Sequence, residues 1–157
     1  MVGTVVVGLL AVALGAGQAG LLAGSPPADL GVTVGRLKAP SITANSVSSQ
    51  AQLWDGHPMQ QGAMIAPLPL RGTPAEAITR LRAVVQAMPG ADVVTQHDDY
   101  LYVRFTTRWL GFVDDAEFWA DPAHKAIQVR SASRLGASDL GVNRARIERI
   151  RTALGPG

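Results

Sequence analysis

The chain contains no cysteine. That excludes disulfides, thiolate catalysis and cysteine-ligated zinc, and it leaves the redox compartment open. Charge is also scarce: charged residues make up 17% of the chain, a low share for a soluble protein. The first 24 residues account for much of the deficit, because none carries a charged side chain. Lys+Arg total 14 against 12 Asp+Glu, a net charge of +2. The Lys and Arg residues form no clustered run, which sets nucleic acid aside as a partner. There is no glycine-rich phosphate loop and no nucleophile elbow. His57, His97 and His124 stand apart, without metal-ligand spacing. These absences argue against an enzyme, and neither a cofactor nor a metal is expected.

What is present begins with an apolar segment. Val2 to Gly24 holds 23 residues without a charge. At about 1.5 Å rise each, a helix of that length crosses a bilayer core of roughly 30 Å. Residues 1–24 therefore read as a transmembrane anchor. Small residues recur four apart at Ala11/Gly15, Ala13/Gly17 and Ala16/Gly20, a spacing that lets a second helix approach closely. A cleaved signal peptide is the rival reading, but the stretch is long for one and no Lys or Arg precedes it. Leu22-Ala23-Gly24-Ser25 is like a lipoprotein cleavage box with Ser where the lipidated Cys must stand. Arg36 and Lys38 beyond the segment are a weak pull towards the cytoplasm.

Residues 25–61 are rich in Ser, Pro, Gly and Asn and keep no helical or strand period, so an extended tether is expected there. Within it, Asn45, Ser46, Ser48, Ser49 and Gln50 read as a turn that satisfies its own backbone, or else as a polar recognition loop.

Residues 62–157, within the about 130 residues left beyond the apolar segment, suffice for one domain of ordinary size. Met64 to Leu70 is an edge strand, since Pro67 and Pro69 cannot donate ladder bonds. Thr73-Pro74-Ala75-Glu76 is a helix start, and Ile78, Leu81, Val85 and Met88 recur at helical spacing. Four strands follow, over Asp92 to Gln96, Tyr100 to Trp109, Phe112 to Asp121 and Ala126 to Arg134. Leu101, Val103, Phe105, Ala116, Phe118, Ile127 and Val129 point inward by alternation. Ser138-Asp139 caps a last helix from about Leu140 to Leu154, with Arg144, Arg146, Arg149 and Arg151 on its solvent side. The expected fold is α+β: a mainly antiparallel sheet of about five strands, in the order β-α-β-β-β-β-α, with both helices on one face.

Two groups of residues stand out as candidate sites. Arg104, Arg108, Arg130 and Arg134 lie on neighbouring strands facing Asp115 and Glu117. They form either an anion site or, more simply, a wet sheet face laced with ion pairs. Asp114 and Asp115 are adjacent, so in a strand they point to opposite faces and cannot share a metal. Asp114 falls on the apolar side, where burial demands a donor such as an Arg or a Ser of residues 131–133.

Several of these motifs resemble a known family. Asn45 to Gln50, Ile65 to Leu68, Gly111 to Phe118, Val129 to Gly136 and Ser138 to Arg144, the last including Asn143, are similar to the family catalogued as domain of unknown function 1499. The resemblance covers about residues 45–154. Many members have Cys where this chain has Ser46, which argues against a thiol role here. Members often follow an apolar segment, which implies a domain outside the cytosol. The family has no established activity to carry over. The expected function is a non-catalytic accessory or scaffold subunit. It would be anchored in a bacterial inner membrane with its domain on the periplasmic side. Its partners would be membrane lipid and integral membrane subunits. The alternative is a module binding a lipid or small apolar ligand between the sheet and the last helix.

Overall fold

A computed structural model describes residues 2–156, with the side chains of residues 1–5, 7, 10 and 11 outside that description. Four strands run as an antiparallel meander: β3 (Ala91–Gln96), β4 (Tyr100–Thr106), β5 (Val113–Asp121) and β6 (Ala126–Ser133). Two short strands share the free edge of β6. Here β1 (Ser46–Ser48) pairs with residues 130–132 and β2 (Leu68–Pro69) with residues 126–127. The spatial order is β1-β6-β5-β4-β3. The antiparallel α+β architecture is therefore as expected, with six strands instead of about five. The Pro67 and Pro69 stretch sits on an edge, where a missing N–H costs no ladder bond.

Helix α2 (Pro74–Gln86) starts as the sequence dictates. The Thr73 hydroxyl accepts the Glu76 N–H at 3.3 Å, and the Glu76 carboxylate accepts the Thr73 N–H at 2.9 Å. Its Ala77, Ile78, Leu81 and Val85 meet Leu101, Val103, Phe118 and Val129 of the sheet in one apolar core. Helix α3 (Val142–Leu154) adds Ile147 and Ile150 to the same face. Its stripe is interrupted by two polar groups. Arg146 was expected in solvent with the other arginines, but it is buried, as is Asn143. The helix also begins two residues later than expected. Asp139 still serves its start, accepting the Gly141 N–H at 3.0 Å and the Asn143 N–H at 2.8 Å.

The second sheet face is not the open, wet face expected. Residues 27–39 cross it as a strap. Gly31 N–H donates to Glu117 at 2.7 Å, Arg130 Nε donates to the Ala39 carbonyl at 2.9 Å, and Leu37 is buried. The segment 25–61, expected as an extended tether, is thus largely woven into the domain. Asn45 to Gln50 is buried, and the Asn45, Ser49 and Gln50 side chains bond groups outside the stretch. Asn45 Nδ2 donates to the Gly136 carbonyl at 2.7 Å, and Gln50 joins the Gly35 carbonyl and the Leu37 N–H at 3.0 and 2.9 Å. Composition suggested a tether because short polar side chains bond backbone. Ser46 and Ser48 do so locally, while Asn45 reaches backbone distant in sequence.

Helix α1 (Val2–Gln18) is shorter than the apolar run containing it. At about 1.5 Å per residue its 17 residues span about 25 Å, against a bilayer core of roughly 30 Å. Among the described residues, no helix is long and apolar enough to cross a membrane. The expected transmembrane helix over residues 1–24 is corrected accordingly. The chain turns at residues 19–22, and Gly20 sits at φ 77°, outside the helical region. One member of the small-residue stripe, Gly17, packs on the domain itself. A Cβ at Gly17 would lie 2.5 Å from the Leu110 carbonyl oxygen, and one at Gly111 2.6 Å from that of Gly17. The two glycines let the last turn of α1 press against the turn after β4. Gln18 Nε2 reinforces the contact, donating to the Arg108 and Trp109 carbonyls at 3.3 and 3.2 Å. Gly15 and Gly20 face open space, and the side chain of Ala11 lies outside the described residues.

Candidate functional site

The alternation of β5 sends Asp114 to the helix face and Asp115 to the strap face. Each carboxylate meets its own arginine. Asp114 Oδ2 accepts Arg146 Nη2 at 2.5 Å, and the same guanidinium lies 4.4 Å from the centre of the Phe105 ring. The need for a donor to Asp114 was legible in the sequence. The donor comes from α3 and not from the 131–133 stretch. Asp115 accepts Arg134 Nε and Nη2, both at 2.8 Å, in a bidentate pair, with the Tyr102 hydroxyl at 2.5 Å.

Asn143 is the hub on the helix face, with no exposed surface. Its Oδ1 accepts Ser131 Oγ at 2.5 Å and Arg146 Nη1 at 2.8 Å. Its Nδ2 donates to the Asn45 carbonyl, Ser133 Oγ and Asp139 Oδ2 at 3.2, 3.0 and 2.8 Å. One amide therefore ties together the residue leading into β1, strand β6, the start of α3 and, through Arg146, strand β5. Burial alone would push the Asp139 carboxyl up. The Asn143 and Gly141 N–H groups and the Asn143 amide outweigh it and hold the carboxyl below its usual value.

Beside this clamp lies an apolar groove of about 220 Å³, lined by Phe112, Val113, Leu135, Leu140 and Val142, with Asp114, Ser133 and Asp139 at its polar edge. Nearly all of its lining comes from the motifs singled out in the sequence. Leu140 is its most exposed wall, 93% accessible and at φ 53°. A large apolar side chain held in solvent on left-handed backbone is unfavourable twice over.

On the strap face, Glu117 is fully buried. Its Oε1 accepts the Tyr100 hydroxyl at 2.8 Å as well as the Gly31 N–H. Arg130 Nη1 stands 3.7 Å from Oε2, which has no hydrogen-bond partner among the described residues. Burial pushes the Glu117 carboxyl up, offset in part by those donors and by Arg130, and burial pulls the Arg130 guanidinium down. A raised carboxyl is the mark of a general acid when it opens on a cleft. Here the cavity alongside is lined by Tyr100, Tyr102 and Gly31, and Glu117 is sealed behind them.

The four arginines expected in one array divide. Arg130 and Arg134 are on the buried polar face. Arg104 forms an exposed pair with Asp92, and Arg108 lies beyond β4, 4.8 Å from the centre of the Trp109 ring. Ser48 turns inward, its Oγ accepting the Gln50 N–H at 3.1 Å. Sequence reasoning missed Tyr100 and Tyr102 as partners of the acids, although their alternation with Leu101 and Val103 placed them on that face. It also missed Arg146, whose signal was its spacing of three from Asn143 and four from Ile150 on one helical stripe. The strap left no local signal.

A family model described as "Protein of unknown function (DUF1499)" matches residues 36–154. The chain belongs to that family. The DUF1499 match starts within the strap and takes in every element from β1 to α3, so clamp, groove and buried polar face all lie inside it. No curated protein and no solved structure matches the chain.

Proposed function

We propose that this DUF1499 chain is a membrane-anchored, non-catalytic accessory module, held at a bacterial inner membrane with its domain on the periplasmic side and offered to larger membrane complexes. One observation carries the reading. Helix α1 leaves Val6, Leu9 and Val12 exposed, carries no charge, and is nevertheless clasped at its last turn by the domain. An uncharged helix with bare valine and leucine is stable only where hydrocarbon or protein covers it. A complete crossing is not required, because a helix of about 25 Å can be met by local thinning of the bilayer or by partial insertion. The pairing of Asp114 and Asp115 with arginines supports a structural role for both carboxylates.

The apolar groove favours a second reading, a module for an apolar ligand. Its volume of about 220 Å³ is below the roughly 300–1,000 Å³ of ordinary ligand pockets, so it suits part of a chain and not a whole small molecule.

The test is fractionation of the full chain from native membranes. It is expected in the membrane pellet through alkaline carbonate extraction, and in detergent it is expected to elute with other membrane subunits. A variant lacking residues 2–24 is expected in the soluble fraction. Full-length protein in the soluble fraction would overturn the anchor, and a protein that always elutes alone would overturn the accessory role.

A further inference from the structure

The end of the domain that clasps α1 carries more than the groove. Trp109 is 62% exposed there, with the Arg108 guanidinium against its ring. Leu135, Leu140 and Val142 are exposed on the neighbouring loops. Thr107 lines the apolar groove and also a second recess of about 480 Å³, whose walls include Arg108 and Arg146. Chain position links the two: α1 ends against Leu110, and the segment leaving it returns at Gly24 beside Arg134 and Leu135. Groove, recess and bare aromatic thus surround the foot of the apolar helix.

The charges at this end decide what the recess can take. Asp114 is neutralised by Arg146, and the Asp139 carboxylate is occupied by the N–H groups at the start of α3. Arg108 forms no ion pair among the described residues. That leaves the unpaired Arg108 cation beside an indole and an apolar groove, with the Asp139 carboxylate held charged at the groove's polar edge by the N–H groups of α3. Tryptophan and arginine at the foot of an apolar helix are the pairing favoured at headgroup depth, where the ring is half in hydrocarbon and the cation meets phosphate.

We infer that this end is a seat for an anionic phospholipid, with the phosphate in the recess at Arg108, the Trp109 indole at the headgroup boundary, and the start of an acyl chain in the groove under Leu140. The seat rests on the membrane-anchored reading and deepens it by naming the lipid and the surface that meets it. It also gives the exposure and strained backbone of Leu140 a use, since the side chain is covered once the domain sits on the bilayer.

The experiment uses the full chain in nanodiscs of phosphatidylcholine alone or mixed with phosphatidylglycerol, with bromine on the acyl chains. Bromine quenches an indole that lies within the headgroup and upper acyl region. The Trp109→Phe variant isolates the Trp109 share of the emission from that of Trp54 and Trp119. Trp109 is expected to lose most of its emission in brominated discs, and more with phosphatidylglycerol present. Arg108→Gln should abolish the phosphatidylglycerol dependence, and Leu140→Asp should weaken quenching in both lipids. Both side chains are exposed, so circular dichroism of the variants should match that of the parent. Nanodisc-bound protein whose Trp109 is unquenched, or is quenched equally with and without phosphatidylglycerol, would overturn the seat and leave the anchor standing. A full chain that never enters the discs would overturn the anchor and the seat together.

Discussion

Asn143→Ala tests whether the clamp holds the domain together. The amide makes five hydrogen bonds without touching solvent. Several of its partners keep a second bond after truncation. Arg146 retains Asp114 at 2.5 Å, and the Asn45 carbonyl retains the Ser133 N–H at 3.0 Å. Ser131 Oγ can still accept Arg146 Nη1 at 3.3 Å, but it loses its own acceptor, and Ser133 Oγ loses its Asn143 donor. Two to three net bonds of about 1 kcal/mol each, with one polar group orphaned at a cost of about 1–3 kcal/mol, sum to about 3–6 kcal/mol. That is a large share of the roughly 5–15 kcal/mol available to a domain. Urea unfolding followed by far-ultraviolet circular dichroism should show a lower midpoint with an unchanged slope. Asn143→Asp supplies the control. It sets a second carboxylate 2.8 Å from Asp139 Oδ2, so its deficit relative to wild type should be larger at pH 7 than at pH 4, where one of the two acids takes a proton. A loss below about 1 kcal/mol for Asn143→Ala, the scale of a single net hydrogen bond, would refute the clamp. So would a pH-independent deficit for Asn143→Asp.

Four further outcomes follow from the same geometry. Gly17→Ala drives a Cβ to 2.5 Å from the Leu110 carbonyl and should undock α1, while Gly15→Ala meets open space. Limited proteolysis within residues 19–24 should accelerate in the first variant alone. Burial raises the Glu117 carboxyl, so the stability it contributes is fully present below its unfolded value and is lost as pH rises through the folded one. Measured from pH 4 to 8, Glu117→Gln should therefore gain ground on wild type as pH rises. Asp139, held low, has the opposite sign: its contribution is lost as pH falls, and Asp139→Asn should flatten that limb. Burial and the Asp115 hydrogen bond push the Tyr102 phenol up to about 12, and burial beside Glu117 raises Tyr100 as well. Ultraviolet titration of the folded protein should show neither tyrosinate near pH 10, with both appearing there once urea unfolds the chain. Tyrosinate formation near pH 10 in folded protein would show the strap face open to solvent.

Local rules carried the reading of α2 and the four-stranded meander. Thr73, Pro74 and Glu76 act within one turn, and Leu101, Val103 and Phe105 alternate within one strand, so the physics is complete inside a short window. The same alternation correctly parted Asp114 from Asp115. It overran at the end of β4, which stops at Thr106, so Thr107 and Trp109 belong to a turn. Composition misled over residues 25–61. Asn45 and Gln50 bond atoms 91 and 15 positions away, and nothing within the stretch announces those partners.

By itself, the sequence determined the α+β class, the two packing helices, the core positions and an apolar segment that water does not suit. Each of these rests on periodicity or on neighbours a few residues apart. Only the tertiary structure decided that the strap buries Glu117 and Arg130, that Arg146 answers Asp114, and that Asn143 joins three elements. Which partner a buried charge or amide finds depends on loop closure across tens of residues. Tertiary contact also decided where α1 docks, because the approach of Gly17 to Gly111 exists only once the turn after β4 has folded.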